Sequence, residues 1–139
     1  MMILRYAACL ALCAVAAASA RAETPARVFL ADLQPQDRLE VHTSKYVLRC
    51  EIVDPVTGEA LAALSPDGTR FGRVDRVFLL GSTLGRHEEG LMLVRMGEVR
   101  QGLRVELGVG TLEAKNRRLT EPVQAIRLVR GAAPLALRP

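Results

Sequence analysis

The segment whose residue types could most readily do chemistry is Phe78–Gly90, FLLGSTLGRHEEG. It places a hydroxyl, a guanidinium and an imidazole close to an apolar run. Thr83 stands in a G-x-T-x-G pattern where a nucleophile elbow carries its serine, and His87 lies four residues further on. Such an elbow needs a helix directly after the turn, and an acid and a histidine later in the chain. Leu91–Val94 indicates a strand instead, and no histidine follows His87. We therefore predict no catalytic residue here.

The same segment does not fit a phosphate-binding loop. That loop has four residues between its glycines and then a lysine, so that a helix N-terminus and an ammonium group meet the phosphates. Three residues separate Gly81 from Gly85 here, and Arg86 follows. We interpret the segment as a tight corner between two strands, where two glycines let the chain leave and re-enter the sheet. The predicted contact surface at this corner consists of Gly81, Ser82, Thr83, Gly85, Arg86 and His87.

This sequence contains few residues that could bind a metal ion or a cofactor. His42 and His87 are the only histidines, and neither has a second ligand at helix or hairpin spacing, whereas zinc takes three or four converging ligands. Glu88 and Glu89 are adjacent, so their side chains diverge in an extended chain and do not form the facing pair of a glycosidase. We predict neither a metal nor a cofactor.

A group of basic residues late in the chain is the remaining chemical feature. Its members are Lys115, Arg117, Arg118, Arg127 and Arg130. Tryptophan is absent and aromatic residues make up 4% of the chain, whereas single-strand binders stack bases on aromatic platforms. We predict solvated basic residues and no nucleic-acid partner.

Apolar residues with a period of two define the elements that would position these groups. Leu39 and Val41 alternate with charged residues, the even positions of Tyr46–Ile52 share one face, and Leu103–Leu107 repeats the pattern. Such alternation is typical of strands with one face on a core and one in water. The charged residues predicted on the solvent faces are Arg49, Glu51, Arg104 and Glu106.

Turn residues separate these strands at regular intervals. Asp54–Gly58 and Ser65–Gly68 contain proline followed by glycine, the chemistry of tight turns. We interpret Glu59–Leu64 as a strand or a turn rather than a short helix, and Thr120–Arg130 as the final strand. The prediction is an all-β fold, a single small antiparallel sandwich or partly open barrel.

Residues 1–22 have the pattern of a signal peptide. Arg5 precedes an apolar run, and cleavage after Ala20 or after Ala22 satisfies the preference for small residues. The apolar run is shorter than the roughly 20 residues of a membrane span, so an uncleaved anchor is the less favoured alternative. Lipid attachment at Cys13 is also disfavoured, because Leu12 is too large for the preceding position. We predict export to the periplasm or the cell exterior, without a stable membrane span.

The predicted β-domain occupies residues 23–130, and residues 131–139 form a flexible tail. Without residues 1–22 the net charge is about +2, because Arg5 and Arg21 leave with them and no acidic residue does. Cys50 is then the only cysteine, so no internal disulfide can form. We favour a buried and inert thiol over one that pairs with another chain.

Several short motifs resemble a group of small exported bacterial β-rich domains of unknown function. They are Tyr46–Arg49, Pro55–Glu59, Leu80–Gly85, Gly102–Glu106 and Pro122–Ile126, within roughly residues 38–129. The resemblance implies a closing strand at the last of these motifs, and it implies no activity for any residue.

Together these features predict a non-enzymatic exported β-domain. It would act through contacts with an unknown envelope or secreted protein, using the Gly81–Gly90 segment or a sheet edge at Val123–Arg130, or as a structural part of an envelope assembly. The alternative is a small ligand-binding barrel or a minor hydrolase. A pocket lined by leucine and valine with converging polar groups favours ligand binding, whereas a fully filled core excludes it.

Overall fold

The computed structural model describes residues 21–87 and 90–132. In these residues the chain forms eleven strands and two single-turn 3₁₀ helices, Leu30–Asp32 and Ala114–Asn116. The strands are β1 (Arg21–Glu23), β2 (Arg27–Phe29), β3 (Arg38–His42), β4 (Val47–Asp54), β5 (Glu59–Ser65), β6 (Asp75–His87), β7 (Gly90–Met96), β8 (Glu98–Arg100), β9 (Arg104–Val109), β10 (Arg117–Leu119) and β11 (Ala125–Arg130). None of the helices in the described ranges is long and apolar enough to cross a membrane.

Nine of these strands form one antiparallel sheet that is not closed into a barrel. Its order is β1-β11-β3-β4-β5-β6-β9-β10, and β7 pairs with the second half of β6. Strands β2 and β8 form a separate two-stranded sheet. The prediction of an all-β antiparallel fold is confirmed.

The period-two pattern explains why these strands share a core. Leu39 pairs with Cys50 and Val41 with Leu48, so the apolar residues of β3 and β4 lie on the same face. We call this side of the sheet the inner face. Its buried side chains join those of β2, β8 and the first 3₁₀ helix in one hydrophobic cluster. Glu59–Leu64, interpreted from sequence as a strand or a turn, lies within β5 and is a strand.

The corner predicted at Gly81–Gly85 is wrong, because β6 runs through it as a continuous strand of 13 residues. The chain reverses only after His87, which pairs with Gly90. Pairing of β6 with β9 shifts register between Leu79 and Gly81, which is the signature of a bulge. A Cβ atom at Gly81 would overlap the carbonyl oxygen of Arg95. Glycine is needed here for the close approach of β7, not for a turn.

The prediction that the outer face carries only solvated charges is also wrong. Glu51 is 7% exposed and Glu106 is 1% exposed. Glu106 lies beside Arg117 of the neighbouring strand, with 3.7 Å between Oε1 and Nη1. Alternation predicts the face to which a side chain points, but it does not predict whether other segments cover that face.

Both predicted turns are present, and one is organised by a carboxylate. Residues 55–58 form a turn and residues 66–70 form a bend. In the bend, the Asp67 carboxylate accepts hydrogen bonds from the Thr69 and Arg70 N–H groups and from the Ser65 hydroxyl. These donors stabilise the charged form and hold the pKa of Asp67 below its ordinary value.

The final strand starts at Ala125, five residues later than predicted. Residues 120–124 instead cross from β9 to β3. The Val123 N–H donates to the Leu103 carbonyl, and the Gln124 N–H donates to the His42 carbonyl. The crossing segment therefore joins strands that are not neighbours in the sheet order.

The predicted domain boundary at residue 22 falls inside β1. Arg21, Ala22 and Glu23 pair with Arg130, Val129 and Leu128 of β11, so the β-fold begins before residue 23. At the other end, Ala132 is buried. The rest of the predicted leader, residues 1–20, and the rest of the predicted tail, residues 133–139, lie outside the described residues.

Cys50 is completely buried, and burial raises the pKa of its thiol to about 12 from an ordinary 9.0. We expect no reaction with a thiol reagent at pH 8 in the folded protein, and full reaction in urea, because the thiolate is the reactive form. Rapid labelling of the folded protein would contradict a buried, inert thiol.

The same burial makes stability depend on alkaline pH. The unfolded thiol loses its proton near pH 9, whereas the folded thiol keeps it until about pH 12. The free energy of unfolding should therefore fall above about pH 9, by about 1.4 kcal/mol per pH unit. Urea titrations at pH 8 and pH 10 should show this extra loss in the wild type but not in Cys50→Ala.

Candidate functional site

The predicted contact surface is buried at three of its positions, Gly81, Ser82 and Thr83. Ser82 and Thr83 are both 0% exposed. The Ser82 hydroxyl donates to the Glu98 carbonyl at 2.7 Å and accepts from the Arg100 N–H at 3.0 Å, which fastens β8 onto β6. Ser82 therefore has a structural role, which corrects its assignment to a contact surface.

All six predicted positions lie on the same strand, β6. Gly81, Gly85, Arg86 and His87 are register positions of β6 opposite β7. The side chains of Arg86 and His87 lie outside what the structure describes, and so do Glu88 and Glu89. The structure thus makes these positions part of a hairpin strand instead of a loop.

Each residue of the predicted basic group has an oxygen atom near its charged end. The partners are Glu113 for Lys115, Glu106 for Arg117, two main-chain carbonyls for Arg118, Glu40 for Arg127 and Asp37 for Arg130. Carboxylates therefore offset four of these five charges locally, which weakens any long-range basic field.

Among the described side chains, no group of three or more histidines, cysteines, aspartates or glutamates is placed to hold a metal ion. His42 is 39% exposed, and its Nε2 lies 3.8 Å from Glu40 Oε2. Glu40 in turn pairs with arginines on both neighbouring strands. The environment of His42 is that of a sheet surface with cross-strand ion pairs.

One recess lies on the inner face of the sheet, where β5 extends beyond the start of β6. Its volume is about 350 Å³. Its apolar walls are formed by Leu48, Ala62, Leu64, Val77, Leu107, Val109 and Leu119. We call it the inner-face groove.

Strand register explains why these residues meet. Leu48 of β4 pairs with Leu64 of β5, and Val77 of β6 pairs with Val109 of β9, so each pair projects onto the same face. The pairing of β5 with β6 ends at Ala62, opposite Asp75. Leu64 therefore lies beyond the first residue of β6 and is 50% exposed, which is unusual for a leucine on the core side of a sheet.

Polar groups surround the groove at its rim. Arg118 lies opposite Leu107 in the register, and it donates to the carbonyls of Lys115 and Arg117 at 2.9 Å each. Arg73 Nε lies 3.0 Å from Asp75 Oδ1 on the opposite side. The groove therefore offers an apolar floor with charged groups of both signs around it.

Tyr46 forms the end wall of the groove and ties it to the crossing segment. Its hydroxyl accepts from the Glu121 N–H at 3.4 Å. Lys45 and Arg104 lie 3.1 Å and 3.7 Å from the two carboxylate oxygens of Glu121. These contacts hold the β3–β4 turn against residues 120–124 and keep the end wall in place.

The described lining of the groove is largely apolar. Its floor is made of aliphatic side chains. Thr120 is 3% exposed and its hydroxyl donates to the Glu121 carbonyl, while the Tyr46 hydroxyl accepts from the Glu121 N–H. Sequence patterns did not single out these residues, because each belongs to an ordinary alternating strand. The only local sign of the groove in the sequence was that the alternating pattern of β5 continues to Leu64. That residue lies beyond Ala62, which pairs with the first residue of β6.

No protein-family model, curated protein or solved structure gives a significant match to this chain. The resemblance to small exported β-rich domains therefore stays a prediction.

Proposed function

We propose that this chain is an exported, non-enzymatic binding domain whose inner-face groove holds one small, largely apolar molecule. The groove itself supports the proposal. Its volume of about 350 Å³ lies in the range of roughly 300–1,000 Å³ that is typical of ligand sites, and its floor is apolar with a few polar groups at the rim. A pocket lined by leucine and valine with polar groups nearby is the feature that the sequence analysis expected of a ligand-binding domain.

A small molecule fits the groove better than a folded partner does. Stable protein interfaces cover about 800 Å² on each partner, with a flat or gently curved contact. The groove is a recess between Leu64, Val109 and Leu119, and its rim charges are already engaged by Asp75 and by main-chain carbonyls. An apolar body seated on the floor gains burial without breaking these contacts.

A neutral fluorescent probe, N-phenyl-1-naphthylamine, provides the test. We expect saturable binding of one probe per chain in the wild type. Leu64→Arg places a charged side chain at the half-exposed entrance without opening a cavity in the core, and it should weaken binding at least about tenfold, equivalent to about 1.4 kcal/mol. Titration of fluorescence against protein concentration measures the effect.

Two matched variants control for a nonspecific effect of added charge. Leu84→Arg changes a leucine that is 68% exposed and does not line the groove, and binding should be unchanged. Val56→Arg lies in a second apolar recess with Phe29 and Met96, and binding should again be unchanged. Loss of binding only in Val56→Arg would place the site in that recess and overturn the proposal.

A second candidate function is strand addition at β11. Strand β1 covers only Leu128–Arg130, so in the described chain residues 125–127 of β11 pair with a strand on one side alone. An extended segment of an envelope or secreted partner could add there through main-chain hydrogen bonds. Within the Val123–Arg130 edge predicted from sequence, residues 125–127 are therefore the ones that could accept an added strand.

A further inference from the structure

The two cleavage positions allowed by the sequence differ in their effect on β1. Cleavage after Ala20 leaves Arg21 as the first residue and keeps the whole of β1. Cleavage after Ala22 removes two of its three residues and leaves Glu23 alone. The choice therefore decides whether the edge of β11 is covered.

The contribution of β1 comes from its main chain. All three of its residues are exposed, so they bury almost no side-chain area. Their register partners on β11 include Leu128 and Val129, which are 3% and 8% exposed and belong to the buried part of the sheet. A strand that buries no side chains but pairs along a sheet edge protects that edge from pairing with other chains.

The charges near β1 are compatible with a chain that starts at Arg21. Arg21 lies opposite Arg130 in the register. The Arg130 guanidinium is held by Asp37, with 3.0 Å between Nη1 and Oδ2, and it also donates to the Asp32 carbonyl. Because Asp37 offsets the charge of Arg130, Arg21 faces a neutralised guanidinium and not a free cation.

We propose that the leader is removed after Ala20, so that the mature chain begins at Arg21 and β1 remains as the cover of the β11 edge. This inference rests on the proposed export and not on the groove. It assigns the processing site that the small-residue pattern alone left open between Ala20 and Ala22.

Expression of the full chain in a bacterial host, followed by intact-mass and N-terminal sequence analysis of the exported fraction, tests this assignment. We expect Arg21 as the first residue. A chain that begins at Glu23 overturns the assignment while leaving export intact. A chain that is neither exported nor shortened overturns both the assignment and the proposed export.

Two variants distinguish cleavage after Ala20 from cleavage after Ala22. Ala22→Glu removes the small residue before the second position only, and it should leave both the yield and the Arg21 terminus unchanged. Ala18→Glu removes a small residue required only by the first position, and it should shift cleavage to Ala22. Processing of Ala22→Glu that fails, or Ala18→Glu that is processed as the wild type, contradicts the assignment.

The protection of the β11 edge by β1 is tested separately, by measuring self-association. Chains produced directly with Arg21 or with Glu23 as the first residue after the initiator methionine should differ in self-association. Size-exclusion chromatography with light scattering should show the longer chain as the less associated of the two at high concentration. Equal association would show that β1 does not protect the β11 edge.

Discussion

Replacing Gly81 with alanine is expected to lower the free energy of unfolding by about 3–4 kcal/mol, near the upper end of single-substitution effects. Gly81 has a φ angle of 156°, and an added Cβ would overlap the carbonyl oxygen of Arg95. Main-chain atoms cannot move aside as a flexible side chain can, so β7 must separate from β6 or β6 must change its path. Urea denaturation followed by far-ultraviolet circular dichroism measures the loss.

Gly110→Ala is the matched control. Gly110 also has a positive φ, of 75°, but an added Cβ there meets no atom within 4 Å. Its replacement should cost only the strain of a left-handed conformation, about 1–2 kcal/mol. Equal losses for the two variants would show that conformational strain, and not the approach of β7, is the reason for glycine at position 81.

Glu40→Gln is expected to destabilise the fold by about 2–3 kcal/mol, because it removes the shared anion of two arginines. Glu40 is 5% exposed and lies at the centre of three strands. Its Oε1 lies 3.2 Å from Arg49 of β4, and its Oε2 lies 3.4 Å from Arg127 of β11. The loss should stay below the full cost of a buried unpaired charge, since both arginines retain some exposure to water.

Glu59→Gln provides the comparison for this prediction. Glu59 pairs with Arg76 across β5 and β6 at 2.8 Å, but the Arg76 side chain is 57% exposed. An exposed pair is typically worth up to about 1 kcal/mol, so this variant should change the free energy of unfolding by less than that. If Glu40→Gln proved as mild as Glu59→Gln, burial would not be what makes the Glu40 pairs important.

The strands were predictable because each obeys a local rule. Leu39, Val41 and the even positions of β4 alternate with polar residues, and alternation alone specifies a pleated segment and its apolar face. The turn at Ser65–Gly68 was likewise predictable, since Ser65 and Asp67 supply the acceptors that organise it. These features depend only on residues close together in the chain.

The errors arose where distant segments approach each other. Gly81 was taken for a turn residue because glycine permits turns, but here it permits the approach of Arg95, which no local pattern reveals. Glu106 was taken for a solvated residue because it alternates with Val105 and Leu107, yet it is buried beside Arg117. Register and covering segments decide both cases.

The inner-face groove could not be predicted for the same reason. Leu48, Leu64, Val77, Val109 and Leu119 come from five different strands, and each looks like an ordinary core residue in its own strand. The groove exists because the pairing of β5 with β6 ends at Ala62, whereas β5 itself continues to Ser65. The offset between two strands is a property of the sheet and is not encoded in either strand alone.

The pairing of β3 with β11 also constrains when this chain can fold. Leu39 of β3 pairs with Leu128 of β11, and most of the other described strands lie between them in the sequence. Contacts of such long sequence separation slow folding, because the loop between them must close first. A chain that is still emerging from a ribosome or a membrane channel lacks this partner. The β3–β11 part of the sheet can therefore form only after β11 has emerged.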